Sequence, residues 1–281
     1  MRNQLVLVAI VLEAVSTAGQ LASAQVATTT PDFGPNVLLF DPSTPDIQPR
    51  LDAIFAQQER AQFGPNRYAL LFKPGQYKLD VQIGYYMHLA GLGQRPDDVQ
   101  IDGAVRSNSR GHALTNFWRA VENVAITPSR DDGVCVWAVS QAATMRRAHI
   151  KGDLHLFDQG YSSGGFLADS VVDGQVSSGS QQQWLSRNVE WGRPWNGGNW
   201  NMVFVGVLDP PPGEWPAAPY TVVDKTPIIR EKPFLFVDEA GDFFVAVPRL
   251  RKDSLGANHG SLPIDEPTQG AIPIDQCFIA R

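Results

Sequence analysis

The sequence predicts an all-β solenoid preceded by one helix, and three observations predict it. A single segment near the start carries helical periodicity, and no later segment does so convincingly. From Tyr68 onward, short apolar runs at strand spacing are cut by Pro-Gly, Asp-Gly and Gly-rich turns. Two of those runs, FLADSVVDG (Phe166 to Gly174) and WLSRNVEWG (Trp184 to Gly192), superpose at a constant offset.

The elements follow in order along the 281 residues. Arg2, the apolar run Leu5 to Val15 and the small residues Ala22-Ser23-Ala24 have the form of a secretory signal peptide ending at residue 24, so the protein is expected to be secreted and extracellular. The run is too short to span a membrane. Residues 25–36 are a polar, Thr-rich leader, and Val37 to Phe40 are an apolar strand. Asp46 stands where a helix N-cap belongs, and Ile47, Leu51, Ile54 and Phe55 behind it share one helical face. Strands are then expected at Ala69 to Phe72, at Tyr77 to Ile83 and at Val99 to Ile101.

The repeat extends the pattern. Leu167 falls over Leu185, Ser170 over Asn188, Val171 over Val189 and Gly174 over Gly192; Val203 and Val207 continue the series, and Val124 and Ala148 begin it. Coils of about 20 residues, none able to bury its own apolar side, stack into a continuous core. The register predicts one corner made of Asn123, Arg147, Ser170, Asn188 and Gly206. It predicts a ladder of alternating charge one position earlier, at Glu122, Arg146, Asp169 and Arg187. Rungs are about 4.8 Å apart, so Asp169 and Arg187 are assigned to structure, each exposed pair contributing only about 0–1 kcal/mol.

With LLFKPGQYKL, LAGLG, VQIDG, ENVAI and RNVEW on the page, the chain resembles the opening of a pectin-lyase-like right-handed single-stranded parallel β-helix. In that family the leading helix caps the solenoid end, where bare strand edges invite aggregation. More closely, it resembles the N-terminal half of secreted tandem β-helix proteins of the laminarinase-like exo-glucanase type. The resemblance covers residues 37–208. It implies a Pro-rich linker at 209–233, a β-hairpin at 234–250 and a tail, 251–281, leading into a second β-helix against which this domain packs. It also implies a carbohydrate-active protein, a β-glucanase-like glycoside hydrolase or part of one.

Composition narrows the partners. The net charge is −6 with scattered basic residues, which leaves no nucleic-acid footprint. No cofactor is expected. The two cysteines, Cys135 and Cys277, make no metal motif and their pairing stays open. A polysaccharide needs aromatic faces for its rings and amides or carboxylates for its hydroxyls. Tyr161, Trp191, Trp195 and Trp200 are the candidate platforms, with Gln182 and Asn199 as hydroxyl partners. Trp184, inside the repeat, is expected in the core, while Arg193 to Trp200 is expected to leave the coil as a loop. Hydrolysis needs two carboxyl groups about 5–9.5 Å apart. Asp158, in the Gly/Ser-rich stretch LFDQGYSSGG, is the candidate general acid, and Glu190, beside tryptophan, is its candidate partner. The competing readings are a non-catalytic glycan-binding or structural β-helix, and a polysaccharide lyase with His149 or His155 as candidate base; the acidic pair Asp131-Asp132 is assigned to a turn rather than to calcium, no metal is expected, and His149, beside an inward position, is assigned to structure.

Overall fold

The computed structural model describes residues 30–108, 113–213, 219–259 and 270–277. The expected signal peptide and most of the leader lie outside them. Strand β1 (Val37–Phe40) leads to helix α1 (Ile47–Gln58), then to β2 (Tyr68–Phe72), β3 (Gly75–Gln82), β4 (Met87–Gly91) and β5 (Val99–Arg106). The longer coils follow: β6 (Arg119–Pro128), β7 (Val134–Val136), β8 (Ala143–Ile150), β9 (Asp153–His155), β10 (Phe166–Ser177), β11 (Gln183–Asn196), β12 (Asn201–Val205) and β13 (Tyr220–Val223). Every pairing among these strands is parallel, and one face runs β1-β2-β4-β6-β8-β10-β11-β12-β13. The chain is therefore an all-β parallel solenoid.

Long strands such as β10 bend around the coil and serve more than one face. Phe166 to Ala168 pair on the first face, Val171 and Val172 on a second with His149 and Ile150, and Val176 and Ser177 on a third with Leu154 and His155. Inward residues of the first face, among them Phe40, Leu70, Phe72, Leu89, Val121, Met145, Leu167, Met202 and Phe204, pack into one apolar core. Helix α1 sends Ile47, Leu51 and Ile54 into the same core. Asp46 sits at its start in the left-handed region, but its side chain makes no cap bond.

The turn from first to second face needs a left-handed residue, which Asn, Asp and Gly tolerate best. Asn123, Arg147, Asp169, Asn188 and Gly206 fill it, with φ of 53°, 46°, 46°, 52° and 59°. Here the structure corrects the sequence reading: Asp169, not Ser170, takes the corner, and Ser170 lies opposite Val189. The repeat offset is right at the two glycines, since Gln175 pairs with Arg193 just beyond them. An irregularity between Val172 and Gln175 adds one residue to that coil, so the corner ahead of Gly174 slips by one.

The slip undoes the alternating ladder. Its outward rungs are Glu122, Arg146, Ala168 and Arg187, leaving two arginines around an alanine. The missing carboxylate comes from the tail: Glu231 lies 2.9 Å from Arg146 and 2.6 Å from Arg187, while Lys232 meets Glu122 at 2.7 Å.

The solenoid also runs past residue 208, because Tyr220–Val223 adds a parallel rung beyond Asn201–Val205. The range expected to be a linker, 209–233, therefore carries a strand of the solenoid. After it, β14 (Thr226–Ile229) pairs antiparallel with β17 (Arg251–Ser254). Strands β15 (Phe234–Val237), β16 (Phe243–Ala246) and β18 (Ala271–Pro273) form a second antiparallel sheet. That sheet packs Val237 and Phe243 on Leu71 and Leu92, so the tail runs back along the solenoid to its first coils. Cys135 is buried in the core and Cys277 lies in this tail; both are free thiols.

Candidate functional site

The corner that leads into the first face differs from the one that leaves it. Register places Arg67, Tyr86, Trp118, Ala142 and Gly164 on successive coils, each just ahead of the strand or its first paired residues. Tyr86, Trp118 and Ala142 all have φ between 51° and 57°, so the backbone repeats while the side chain changes from two rings to a methyl. The Tyr86 and Trp118 rings stack with centroids 5.0 Å apart and planes 7° off parallel. The Arg67 guanidinium covers the other end of the stack, 3.4 Å from the Tyr86 centroid. On the next rung Ala142 has only a methyl group, and Trp118 is 37% exposed.

A groove of about 600 Å³ opens there over the outer face, lined by this stack, by Ala120, Thr144 and His88, and by Glu122, Arg146 and Lys232. Two somewhat larger cavities lie elsewhere, but neither is lined by a stacked aromatic pair. Burial pushes the Glu122 carboxyl up, yet His88 and Lys232 outweigh it and hold the group at about 2. Lys232 bonds both carboxylate oxygens at 2.7 Å, whereas His88 Nε2 stands at 3.5 Å, too long for a directed hydrogen bond. Arg119, below the groove, is buried and donates to the Ile83 carbonyl and to Asn116 Oδ1.

Of the residues expected from sequence, four lie on the turn edge leading into this same face. Tyr161 and Trp200 are 63% and 61% exposed. Trp200 is aligned with Gln182 one residue before the paired strands, with its N–H on the Gln182 carbonyl. Asn199 donates its amide to the carbonyls of Gly179 and Gln181 at 3.0 Å, which fixes the turn beneath Trp200. From Trp118 to the Trp200 turn the edge spans four rungs, about 19 Å at 4.8 Å per rung.

The other candidates lie elsewhere. Trp195 is a correction: it is 8% exposed and packs edge-on against Phe204 at 5.0 Å. Strand β11 continues through Asn196, so the expected loop shrinks to the residues after it and Trp195 alternates inward. Trp191 is half-buried beside Trp195, its indole N–H on the Asp209 carbonyl at 3.0 Å. Trp184 is buried, as its place in the repeat requires.

The two candidate carboxylates lie on different parts of the coil. Asp158 follows the third-face strand β9, whereas Glu190 pairs with Val171 on the second face and accepts the Ala257 N–H at 2.9 Å. His149 is also on the second face, between Asp97 at 2.9 Å and Asp173 at 3.0 Å, where it braces coils. Trp118, Tyr86 and Ala142 escaped sequence reasoning, although YYMHLAG and FWRAVEN each place an aromatic just before a strand.

The fold and groove define a parallel β-solenoid with aromatic faces exposed along one edge, and comparison with known proteins agrees with the solenoid. The chain is 46% identical over 266 residues to an exo-β-1,3-glucanase of Streptomyces sp. (strain SirexAA-E / ActE), a match covering 92% of this chain and 43% of that protein. It is similar to the solved structure of sacteLam55A from Streptomyces sp. SirexAA-E, with a TM-score of 0.83 and 46% identity over 89% of this chain and 46% of that one. A variant of sacteLam55A in complex with glucose gives the same TM-score and identity over 90% of this chain and 46% of its own. The chain thus spans less than half the length of these relatives, and the match lies in their N-terminal half. No family model matches it.

Proposed function

We propose that this chain is the glycan-recognising part of a secreted glycoside hydrolase of the exo-β-1,3-glucanase kind. The observation that carries the reading is a single edge with exposed aromatic faces at Trp118, Tyr161 and Trp200 beside a groove with an ionised carboxylate. The similarity to an exo-β-1,3-glucanase, and to a structure bound to glucose, supports a β-1,3-glucan as the polymer. The extra length of the relatives supports a second domain packed against this one, and the separation of Asp158 from Glu190 supports catalysis from that domain.

We further infer a right-handed winding, the hand that parallel crossovers favour, with α1 as the cap of the first coils. Export follows from the leading apolar run and small-residue cleavage site.

The test is retention of the chain on immobilised laminarin, alongside assays of reducing ends and of ultraviolet-absorbing unsaturated sugar. Retention without product supports the glycan-recognition reading. Reducing ends released by the chain alone would move catalysis onto it. Unsaturated product would make it a lyase, and no retention at all would overturn glucan recognition.

A further inference from the structure

The aromatic ladder beside the groove stops at Ala142 without the backbone changing. Tyr86 and Trp118 carry large rings at φ of 57° and 51°, and Ala142 sits at 57° on the next rung. Nothing in the main chain therefore excludes a ring there. Trp118 has one face on Tyr86 and tilted contacts with Phe117 and Tyr85 at 5.5 and 6.3 Å; by register Ala142 stands on its other side, and the ring stays 37% exposed. An apolar face in water beside a groove is a ligand platform when the rung that should cover it is missing.

We propose that Ala142 is the specificity-determining residue of the groove: a pyranose ring of a neutral glycan takes the missing rung, stacked on Trp118, with Glu122 accepting hydroxyls beyond it. This rests on the glycan reading above. A neutral ring is argued from the partners that the charges facing the slot already have. Glu122 is held by Lys232 at 2.7 Å, Arg146 by Glu231 at 2.9 Å, and Arg67 is spent on the Tyr86 ring. A carboxylate sugar would have to compete with Glu122 and Glu231 for these cations, whereas a hydroxyl can donate to a Glu122 oxygen that already accepts from Lys232. Thr144, outward on the rung beside Ala142, adds a hydroxyl to the floor.

The test is titration calorimetry of the whole chain with laminaritriose, cellotriose and a galacturonic acid trimer. Wild type is compared with Ala142→Phe and Trp118→Ala, and thermal midpoints serve as the folding control. Ala142→Phe fills the slot with the ring type the ladder already carries. It is expected to keep or raise the midpoint and to weaken the neutral trimer by at least about tenfold. Trp118→Ala is expected to weaken it equally by removing the platform, which keeps the test valid should Ala142→Phe fold poorly.

Unchanged laminaritriose affinity in a folded Ala142→Phe would overturn the missing-rung proposal and leave glucan recognition standing. Binding of cellotriose but not laminaritriose, lost in Ala142→Phe, would uphold the rung and overturn the β-1,3 assignment. Preference for the galacturonic acid trimer would overturn neutrality. If no trimer binds wild type, both readings fall.

Discussion

Two corners of this solenoid share a backbone conformation and differ in what fills it. At the corner leaving the first face, every side chain has a partner, and the Gly206 rung is closed by Gly256, whose N–H donates to the Gly206 carbonyl. Asn123 donates to the carbonyls of Gly91 and Gly93 at 2.9 and 2.7 Å. Arg147 meets Asp169 at 3.4 Å and covers the Phe234 ring at 4.1 Å, and Asp169 accepts the Asn258 N–H at 2.6 Å. Asn188 donates to Ser254 and accepts from Thr226, each at 2.8 Å. At the corner entering that face, the ladder descends from arginine through tyrosine and tryptophan to alanine and glycine, and a groove opens where it ends. The left-handed corner is a repeated socket. A satisfied side chain makes it scaffold, and a missing one makes it a slot.

The filled corner should be the costlier to break. Asp169→Ala leaves the Arg147 guanidinium buried without its carboxylate and removes the side-chain acceptor of the Asn258 N–H. It is expected to cost about 3–5 kcal/mol in denaturant unfolding, and a loss below about 1 kcal/mol would show that the corner is not held electrostatically. Asn123→Ala removes two buried hydrogen bonds and a tolerated left-handed residue. About 1–3 kcal/mol is expected from the same measurement, with unchanged affinity for laminaritriose because the open corner is untouched.

Charges on the outer faces give smaller, pH-dependent effects of opposite sign. The Glu122 carboxyl is held at about 2, below its ordinary range of about 4.3–4.5. Its contribution is complete above that range and is lost as pH falls through about 2. Glu122→Gln should therefore flatten the fall in stability between about pH 4.5 and 2, and an unaltered acid limb would contradict the Lys232 pairing.

His149 behaves in reverse. Burial lowers its pKa, but the carboxylates of Asp97 and Asp173 outweigh burial and leave it raised. The stabilisation is complete below about pH 6.5 and disappears as pH rises through the raised value. A melting temperature that drifts down as pH rises above about 6.5 in wild type, but not in His149→Gln, is the expected signature.

Smallest of all, Asp158→Asn and Glu190→Gln should leave laminarin retention unaltered, since neither residue lines the groove. Weaker retention in either variant would bring the turn after β9 or the second face back into the site.

The sequence made the filled corner largely legible and the open one hardly at all. Asparagine, glycine and strand-spaced valines mark the first directly, and Asn123, Asn188 and Gly206 stand where the repeat puts them. Asp169 was misplaced by one position because a local irregularity adds a residue between corner and glycine, which a constant offset cannot register. Trp195 was misread for a related cause: Arg193-Pro194-Trp195 is polar enough to suggest a loop, yet strand alternation carries through it and turns the indole inward. The open corner rests on what alanine and glycine lack, and small residues leave no signal without the neighbouring rungs. Lys232 and Glu231 were illegible for another reason. They reach the face from 110 and 85 residues away in sequence, through a tail whose return path no local pattern encodes.

The most direct measurement is a crystal structure of the chain saturated with laminaritriose. A sugar ring lying flat on Trp118 above Ala142, with hydroxyls toward Glu122 and the Asn123–Asn188 corner unchanged, is the result these two corners predict. A bare Trp118 at saturation, or a trimer seated elsewhere on the solenoid, would contradict it.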